Sequence, residues 1–233
     1  MELIAKAKSL RKVYGSKNSV EALKNIDIEI VKGEILAILG PSGCGKTTLL
    51  NCLSGLDNPT SGEVIVLNKN LNKMSEEEKT RFRSENMGFI FQFFNLIPVL
   101  TALENVELPL LISKKYHNLP PSEIRKTAME WLKKLHIHHR AGAYPSEMSG
   151  GEQQRVAIAR ALITNPKVVW ADEPTGALDT KNSEELMEII STMNKELGTT
   201  FVIVTHDANV AKKAHRIIRM DSGLIIGEET KKI

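Results

Sequence analysis

The segment of residues 40–47 constrains the fold more than any other part of the sequence. It reads Gly-Pro-Ser-Gly-Cys-Gly-Lys-Thr, follows the apolar run Ile35–Leu39 and leads into the helix-forming residues 48–53. This is the pattern G-x-x-x-x-G-K-[ST] between a strand and a helix, which is the context of a phosphate-binding loop. Glycines let successive N–H groups point at one spot, and the dipole of the following helix favours an anion there. The sequence therefore predicts a nucleoside triphosphate site, with Lys46 on the β- and γ-phosphates and Thr47 on Mg²⁺.

A glycine-rich turn that only closes a strand–helix unit is the structural alternative for residues 40–47. The Lys46-Thr47 pair at the required position favours the phosphate site. The reaction that the nucleotide drives has to be inferred from other parts of the chain.

Length and composition are those of one large α/β unit. The chain has 233 residues, of which 42% are hydrophobic and 25% charged, as in an ordinary globular protein with a buried core. Its net charge of +3 is small and its Lys and Arg are scattered, so nucleic acid is not an expected partner. The first residues lack a secretory signal, and no apolar run approaches the roughly 20 residues that span a bilayer. Any association with a membrane is therefore expected to come through a partner.

Four apolar runs, each followed by residues typical of a binding site, predict the central sheet. The runs end at Leu39, Phe91, Ala171 and Val204. Near-continuous apolar strands separated by helices predict a mainly parallel sheet covered on both faces. The carboxyl ends of such strands meet at one edge, where open α/β sheets bind their ligands.

Two further regions accompany this core. Residues 3–14 and 26–31 read as an antiparallel pair of strands, because apolar and polar residues alternate along the second. Residues 93–147 change to helical patterns, and we expect a helical subdomain at about 93–160 inserted into the core. The fold class is therefore α/β, a P-loop NTPase with an N-terminal antiparallel β-subdomain and a helical insertion, in a single domain over residues 1–233.

Polar residues after three of the apolar runs predict the chemistry at the shared edge. Hydrolysis of a γ-phosphate needs charge neutralisation and an oriented water. Asp172 is placed to hold Mg²⁺ opposite Thr47, and the adjacent Glu173 is free to act as general base. Gln92 is expected to bind Mg²⁺ or position the water, and His206 to donate to the γ-phosphate. The alternatives are a pair of solvated loop carboxylates and an ordinary core histidine.

A second glycine-rich segment opens a helix that we expect to run to about Thr164. Ser149 and Glu152 form a capping-box pattern at its start. Gly150 and Gly151 cost roughly 1 kcal/mol each relative to Ala inside a helix. They therefore indicate that another backbone or a phosphate approaches this terminus closely.

In order and spacing these motifs resemble the nucleotide-binding domain of the ATP-binding cassette (ABC) family, essentially from end to end. Tyr14, which by itself is either a base-stacking or a packing tyrosine, matches the aromatic that stacks on adenine. Residues 40–47 resemble the Walker A motif, Gln92 the Q-loop and residues 168–173 the Walker B motif. Residues 177–179 resemble the D-loop.

Two more matches complete the resemblance. His206 resembles the family's switch histidine, and Met148-Ser-Gly-Gly-Glu152 its Leu-Ser-Gly-Gly-Gln signature. Residues 91–98, 101–110 and 171–179 resemble one branch, which contains lipoprotein-release, macrolide-export and antimicrobial-peptide-resistance transporters and a cell-division relative. The resemblance implies an ATPase whose nucleotide contacts are Tyr14, Gly40, Pro41, Ser42, Gly43, Cys44, Gly45, Lys46, Thr47, Thr48, Ser149, Gly150, Gly151, Glu152 and Asp179.

The resemblance also implies partners. Each ATP would lie between the Walker A motif of one copy and Ser149 with its glycines from a second copy, in a head-to-tail dimer. An integral membrane permease would dock near Phe93, Phe94 and Leu96, which are otherwise core residues, and would hold the chain at the cytoplasmic face of the cell membrane. The implied function is to energise export or extraction of a lipoprotein, peptide or drug. The alternative is a mechanical or regulatory ATPase that acts on a membrane partner.

Two positions depart from the family signature. Met148 replaces Leu at similar volume, so we expect little effect. Glu152 replaces Gln and adds an anion near the partner's γ-phosphate, so we expect weaker ATP-driven dimerisation than in a Glu152→Gln variant. A GTPase or small-molecule kinase is the rival class, but Leu71 stands where the Asn68-Lys69 pair of a GTPase would require Asp. Neither class explains the segment at residues 149–152.

Overall fold

The computed structural model describes residues 2–15, 17 and 19–231, so the ends of the predicted 1–233 domain lie outside the described residues. The strands are β1 (Leu3–Tyr14), β2 (Val20–Val31), β3 (Ile35–Leu39), β4 (Ser61–Val66), β5 (Lys69–Asn70), β6 (Met87–Phe91), β7 (Val168–Asp172), β8 (Thr200–Thr205), β9 (Arg216–Asp221) and β10 (Leu224–Thr230). The helices are α1 (Lys46–Ser54), α2 (Glu76–Asn86), α3 (Ala102–Ile112), α4 (Pro121–Lys134), α5 (Gly150–Leu162), α6 (Thr180–Leu197) and α7 (Ala208–Ala211).

The strands form two sheets. An antiparallel sheet has the order β2-β1-β4-β5, and a second sheet has the order β10-β9-β3-β8-β7-β6. In the second sheet the pairs from β9 to β6 are all parallel, and β10 joins as an antiparallel hairpin with β9. The predicted fold class, a mainly parallel core with an N-terminal antiparallel sheet, is confirmed.

The register of the parallel strands brings their carboxyl ends to one edge. Leu39 pairs with Thr205, Asp172 with Val204, and Phe91 with Asp172. The residues that follow β3, β6, β7 and β8 therefore leave the sheet side by side, as the apolar runs predicted.

Apolar packing covers the parallel sheet on both faces. Every residue of β3 and β8 is buried, as expected for strands with helices on either side. One core cluster joins the sheet to α3, α4, α5 and α6, and the other joins it to α1 and the antiparallel sheet. The alternation predicted for the second strand holds, with Ile26, Ile28 and Ile30 buried.

The helices between β6 and β7 follow the local signals of the sequence. On α4 a stripe of Ile124, Ala128 and Leu132 is buried, and Trp131 joins it. Helices α2, α3 and α5 each begin with a complete capping box. Among the described residues, no helix combines the length and the apolar character needed to cross a bilayer.

The structure moves two predicted element ends. Strand β2 begins at Val20 rather than residue 26, because it pairs with β1 along nearly its whole length. Helix α6 begins at Thr180, where the Asp179 side chain caps it by accepting from the Asn182 N–H at 2.8 Å. Helix α5 ends at Leu162, two residues before the predicted end.

Candidate functional site

The phosphate loop between β3 and α1 is packed tightly against its neighbours. Gly45 has φ 103°, and a Cβ there would lie 2.4 Å from the Ala22 carbonyl oxygen. A Cβ on Gly40 would lie 2.2 Å from the Met220 carbonyl oxygen. Both positions therefore require glycine, because the neighbouring atom is rigid backbone. No side chain caps the first turn of α1, so its N–H groups remain free for an anion.

Lys46 turns its side chain back over the loop. Its ammonium donates to the carbonyl oxygens of Gly40 at 2.8 Å and Pro41 at 3.0 Å, and lies 3.7 Å from Glu173 Oε1. The side chain is only 5% exposed. A buried ammonium with these contacts places one positive charge at the mouth of the loop, where a phosphate requires it.

Thr47 and Asp172 meet across the edge of the sheet. The Thr47 hydroxyl donates to Asp172 Oδ1 at 2.9 Å. Burial raises the pKa of Asp172 and the neighbouring Glu173 charge adds to this, while the Thr47 hydrogen bond and Lys46 act in the opposite direction. A hydroxyl and a carboxylate oxygen are hard ligands of the kind that Mg²⁺ prefers, so this pair fits the predicted metal.

Glu173 lies between Lys46 and His206. It adopts the left-handed region with φ 45°, and its N–H donates to the Val204 carbonyl oxygen at 3.0 Å. Its Oε2 lies 3.0 Å from His206 Nδ1, and its Oε1 faces Lys46. Left-handed backbone is uncommon outside glycine and concentrates at functional sites, where surrounding structure holds it.

Gln92 lies beside the loop that follows Glu173. A Cβ on Gly176 would come within 2.9 Å of Gln92 Nε2, so the small residue leaves room for the amide. Phe91 pairs with Asp172, so Gln92 follows β6 next to the end of β7, the strand that carries Asp172. Five residues expected to be neighbours therefore lie along the carboxyl edge of the sheet, namely Thr47, Gln92, Asp172, Glu173 and His206.

The remaining residues of the phosphate loop divide by exposure. Pro41, Ser42, Gly43 and Thr47 are exposed, and Thr48 is half-buried. The Cys44 side chain is only 4% exposed and packs in the core beneath the antiparallel sheet. Cys44 can therefore reach a nucleotide through its backbone and not through its thiol.

Tyr14 stands at the end of β1 with 42% of its surface exposed. Its hydroxyl donates to Asp57 Oδ2 at 2.7 Å, and the Lys12 ammonium lies 4.8 Å from its ring centroid. Burial and the Asp57 hydrogen bond raise the pKa of Tyr14. The ring is fixed at its tip and open to solvent, which is compatible with stacking on a base.

The signature segment begins α5 and is organised by its own capping box. Glu152 Oε2 accepts from the Ser149 N–H at 2.7 Å, and the Glu152 N–H donates to Ser149 Oγ at 3.3 Å. The Ser149 N–H is the largest cause of a lowered pKa of Glu152. Gly151 has a reason within the chain, because a Cβ there would lie 2.9 Å from Asn182 Oδ1. Gly150 has only ordinary contacts.

The structure thus separates the predicted site residues into two groups. Lys46, Thr47, Asp172, Glu173 and His206 touch one another. Residues 149–152 instead lie against a different set of residues, which are Phe94, Arg140, Leu178 and Asn182. One chain therefore holds the phosphate loop and the signature segment in separate surroundings.

Sequence reasoning missed two arginines beside these groups. Arg140 lies against Glu152, with Nε 3.2 Å from Oε1. Arg160 donates to the carbonyl oxygens of Asn95 at 2.5 Å and Phe94 at 2.8 Å, just after Gln92. The sequence did contain a signal for Arg160, because it is a charged residue in the otherwise apolar second half of α5.

Comparisons with known proteins agree with this geometry. Residues 23–176 match the family model described as ABC transporter. The uncharacterized ABC transporter ATP-binding protein MJ0796 of Methanocaldococcus jannaschii is 48% identical over 227 residues, which cover 96% of each chain.

Solved structures give the same result. A dimeric, post-hydrolysis structure of the ATP-binding cassette MJ0796 bound to ADP and Pi superimposes with a TM-score of 0.92 at 45% identity, covering 98% of this chain and 99% of that one. The cbiO1 protein of Clostridium perfringens, part of the ABC transporter complex cbiONQ, has a TM-score of 0.87 at 33% identity, covering 99% of this chain and 89% of that one. This chain therefore belongs to the ABC transporter family and is one of its ATP-binding cassettes with ATPase activity.

Proposed function

We propose that two copies of this chain hydrolyse ATP at sites that both copies share, and that hydrolysis drives a separate membrane permease. The observation that carries this proposal is the cluster of Lys46, Thr47, Asp172, Glu173 and His206 at one edge of the sheet, with Ser149 held elsewhere in the chain. The domain is taken as residues 1–233 with a helical unit at about 93–160.

The phosphate loop supplies the binding half of the site. Lys46 exchanges its two carbonyl contacts for the β- and γ-phosphate oxygens, and the N–H groups of residues 43–48 surround the phosphates. Thr47 and Asp172, with Gln92, hold Mg²⁺, which neutralises charge on the phosphates when bound. The adenine stacks on the open face of Tyr14.

Glu173 supplies the base for hydrolysis. Its carboxylate accepts the proton of a water that attacks the γ-phosphate, while Gln92 helps to position that water. The contact of 3.0 Å with His206 helps to fix the carboxylate. The imidazole is proposed to donate to the γ-phosphate. Both groups stand at the ends of buried strands, so the rigid sheet sets their separation.

The other half of the site comes from a second copy. Ser149, the glycines after it and Asp179 are expected to face the nucleotide on the partner. That the MJ0796 cassette has been solved as a dimer supports a second copy as the partner. The N-terminus of α5 favours an anion for the same reason as that of α1. ATP is then the contact that joins the two copies, and hydrolysis releases them.

The permease is proposed to dock at a groove between α2, α3 and α5. This groove has a volume of about 360 Å³, and Phe89, Phe91, Pro109 and Ile112 form much of its wall. Ile112 is 68% exposed, and Phe93 nearby is 74% exposed. Apolar surface of this kind, without cover in the described structure, is typical of an interaction site.

The branch resemblance of residues 91–98, 101–110 and 171–179 supports export or extraction of a lipoprotein, peptide or drug as the work done. In this proposal the permease holds the chain at the cytoplasmic face of the cell membrane. Isolation of the Glu173→Gln protein from membranes with its bound partner tests this assignment. An exporter permease as the partner supports it, whereas recovery of a cell-division protein would favour the mechanical role.

The test of the shared site is Glu173→Gln. We expect ATP turnover to fall by more than about a hundredfold and the variant to accumulate as an ATP-bound dimer, measured by light scattering after gel filtration. The exposed Glu77, 85% accessible on α2, gives the matched control Glu77→Gln with unchanged turnover. Undiminished turnover in Glu173→Gln would remove Glu173 from the mechanism.

A further inference from the structure

The anion at Glu152 raises a problem for the proposed dimer. Its carboxylate lies in the first turn of α5, beside Ser149, the residue proposed to approach the partner's γ-phosphate. A carboxylate near a triphosphate repels it, and Gln at this position would not. Something in the chain must offset this charge for the signature segment to work.

Arg140 is the group that does so. It lies in a short turn, His138–Arg140, that precedes the signature segment. Its Nε is 3.2 Å from Glu152 Oε1, and both side chains are half-buried, at 33% and 27% exposed. The Nε group makes no hydrogen bond of good geometry, so this contact is an ion pair. His139 Nε2 stands further away, at 4.0 Å from the same oxygen.

Arg140 also fixes the backbone on the other side of the segment. Its Nη2 donates to the carbonyl oxygen of Glu147, which directly precedes Met148 and Ser149. One guanidinium therefore joins the chain before the signature to the helix turn that follows it. A planar group with several donors can hold two acceptors at once, which an ammonium does less well.

We propose that Arg140 is a positioning residue for the signature segment, which neutralises Glu152 and orients Ser149 toward the nucleotide of the partner copy. The inference rests on the proposed function, because it assumes that Ser149 meets ATP across a dimer. It also revises the expectation that Glu152→Gln would dimerise more strongly with ATP. If Arg140 already offsets the charge of Glu152, removing that charge strengthens dimerisation little.

The test is a double-mutant cycle in the Glu173→Gln background, where the dimer is stable. The ATP concentration that gives half-maximal dimerisation is measured by light scattering for Arg140→Gln, Glu152→Gln and the double variant. We expect Arg140→Gln to raise it about tenfold by exposing the charge of Glu152. Glu152→Gln alone is expected to change this ATP concentration less than about twofold. The value for the double variant is expected to lie within about threefold of that for Glu152→Gln.

Two further measurements separate charge neutralisation from a purely structural role. The defect of Arg140→Gln is expected to shrink at about 0.5 M salt, because salt screens repulsion between the carboxylate and the phosphates. Arg140→Lys keeps the charge and is expected to lose less than Arg140→Gln. ATP binding by the monomer, measured at concentrations too low for dimerisation, stays unchanged in Arg140→Gln and Arg140→Lys.

Two results overturn the proposal. In one, Arg140→Gln weakens ATP-dependent dimerisation equally in the Glu152 and Glu152→Gln backgrounds. In the other, it weakens dimerisation in neither background. Absence of any ATP-dependent dimer in the Glu173→Gln parent is a different result. It overturns the proposed shared site, and the role of Arg140 with it.

Discussion

At the scale of single residues, two glycines of the phosphate loop show why the motif has its form. Both Gly43 and Gly45 have positive φ, at 78° and 103°. A Cβ on Gly43 would meet nothing within 4 Å, whereas one on Gly45 would collide with the Ala22 carbonyl oxygen. Gly45 therefore serves conformation and packing together, and Gly43 serves conformation and access.

This difference predicts unequal costs for the two alanine variants. Gly43→Ala carries only the strain of left-handed backbone, about 1–2 kcal/mol. Gly45→Ala adds a backbone collision, so we expect a loss of about 3 kcal/mol or more. Thermal denaturation of the protein without nucleotide measures both, at about 2–4 °C per kcal/mol for a chain of this size. Equal melting temperatures for the two variants would contradict the packing described for Gly45.

Asp172 is expected to trade stability for function. Because burial raises its pKa above the ordinary value of 3.8, ionising this carboxyl costs more in the folded protein than in the unfolded chain. Stability without nucleotide is therefore lost as the pH rises through the interval between the unfolded and folded pKa values. Asn removes the charge and keeps an oxygen that accepts from Thr47.

We expect Asp172→Asn to raise the melting temperature at neutral pH by about 2 °C, a modest gain because solvent screens part of the effect. The gain becomes smaller as the pH falls toward 3.8. Asp221→Asn, at an exposed strand end, is the matched control. A lower melting temperature for Asp172→Asn at neutral pH would show that burial of this charge is fully compensated.

The residues that the sequence predicted best are those whose contacts are local or lie at strand ends. Ser149 and Glu152 pair over three residues, and the capping pattern alone predicts their hydrogen bonds. The pairing of Thr47 with Asp172 spans 125 residues, yet the rule for parallel strands brings their segments to one edge. Arg140 was missed, because nothing local in the sequence indicates which acceptor a surface arginine will find.

At the scale of elements, helix α5 connects two functional segments. Its N-terminus begins at Ser149, and near its C-terminus Arg160 holds the loop after Gln92. Phe94 and Asn95 both have positive φ, at 61° and 48°, so the loop depends on contacts that hold an uncommon backbone. The sequence predicted α5 and the loop as separate features, since their link joins residues 65 and 66 positions apart.

Removal of the Arg160 guanidinium is expected to loosen that loop. Two hydrogen bonds from a charged donor, each of about 1.5–3 kcal/mol, are lost in Arg160→Met. Amide hydrogen exchange of residues 93–97 should therefore accelerate by at least about tenfold. Arg81→Met, at a side chain 52% exposed on α2, is the control with unchanged exchange. Unchanged protection in Arg160→Met would show that the loop is held by its apolar contacts alone.

At the scale of the whole molecule, the described structure keeps the two proposed halves of a nucleotide site in separate surroundings. The phosphate loop and the strand-end residues make one half, and the signature segment beside the D-loop makes the other. The fold was predictable because the local pattern of apolar residues indicates each strand and helix. The relation of the two halves was not predictable from local patterns, because in the proposed function it depends on a second copy of the chain.

Complementation between two defective chains tests the shared site most directly. One chain carries Lys46→Ala and the other Ser149→Arg, both in the Glu173→Gln background. Each chain alone has two damaged sites in its homodimer, whereas the mixed dimer has one intact site, formed by the phosphate loop of the Ser149→Arg chain and the signature of the Lys46→Ala chain. ATP-dependent association is measured by light scattering.

We predict that each chain alone stays monomeric with ATP and that the mixture forms dimers holding one tightly bound ATP. A mixture that stays monomeric, or either variant that dimerises alone as readily as the mixture, would contradict the account.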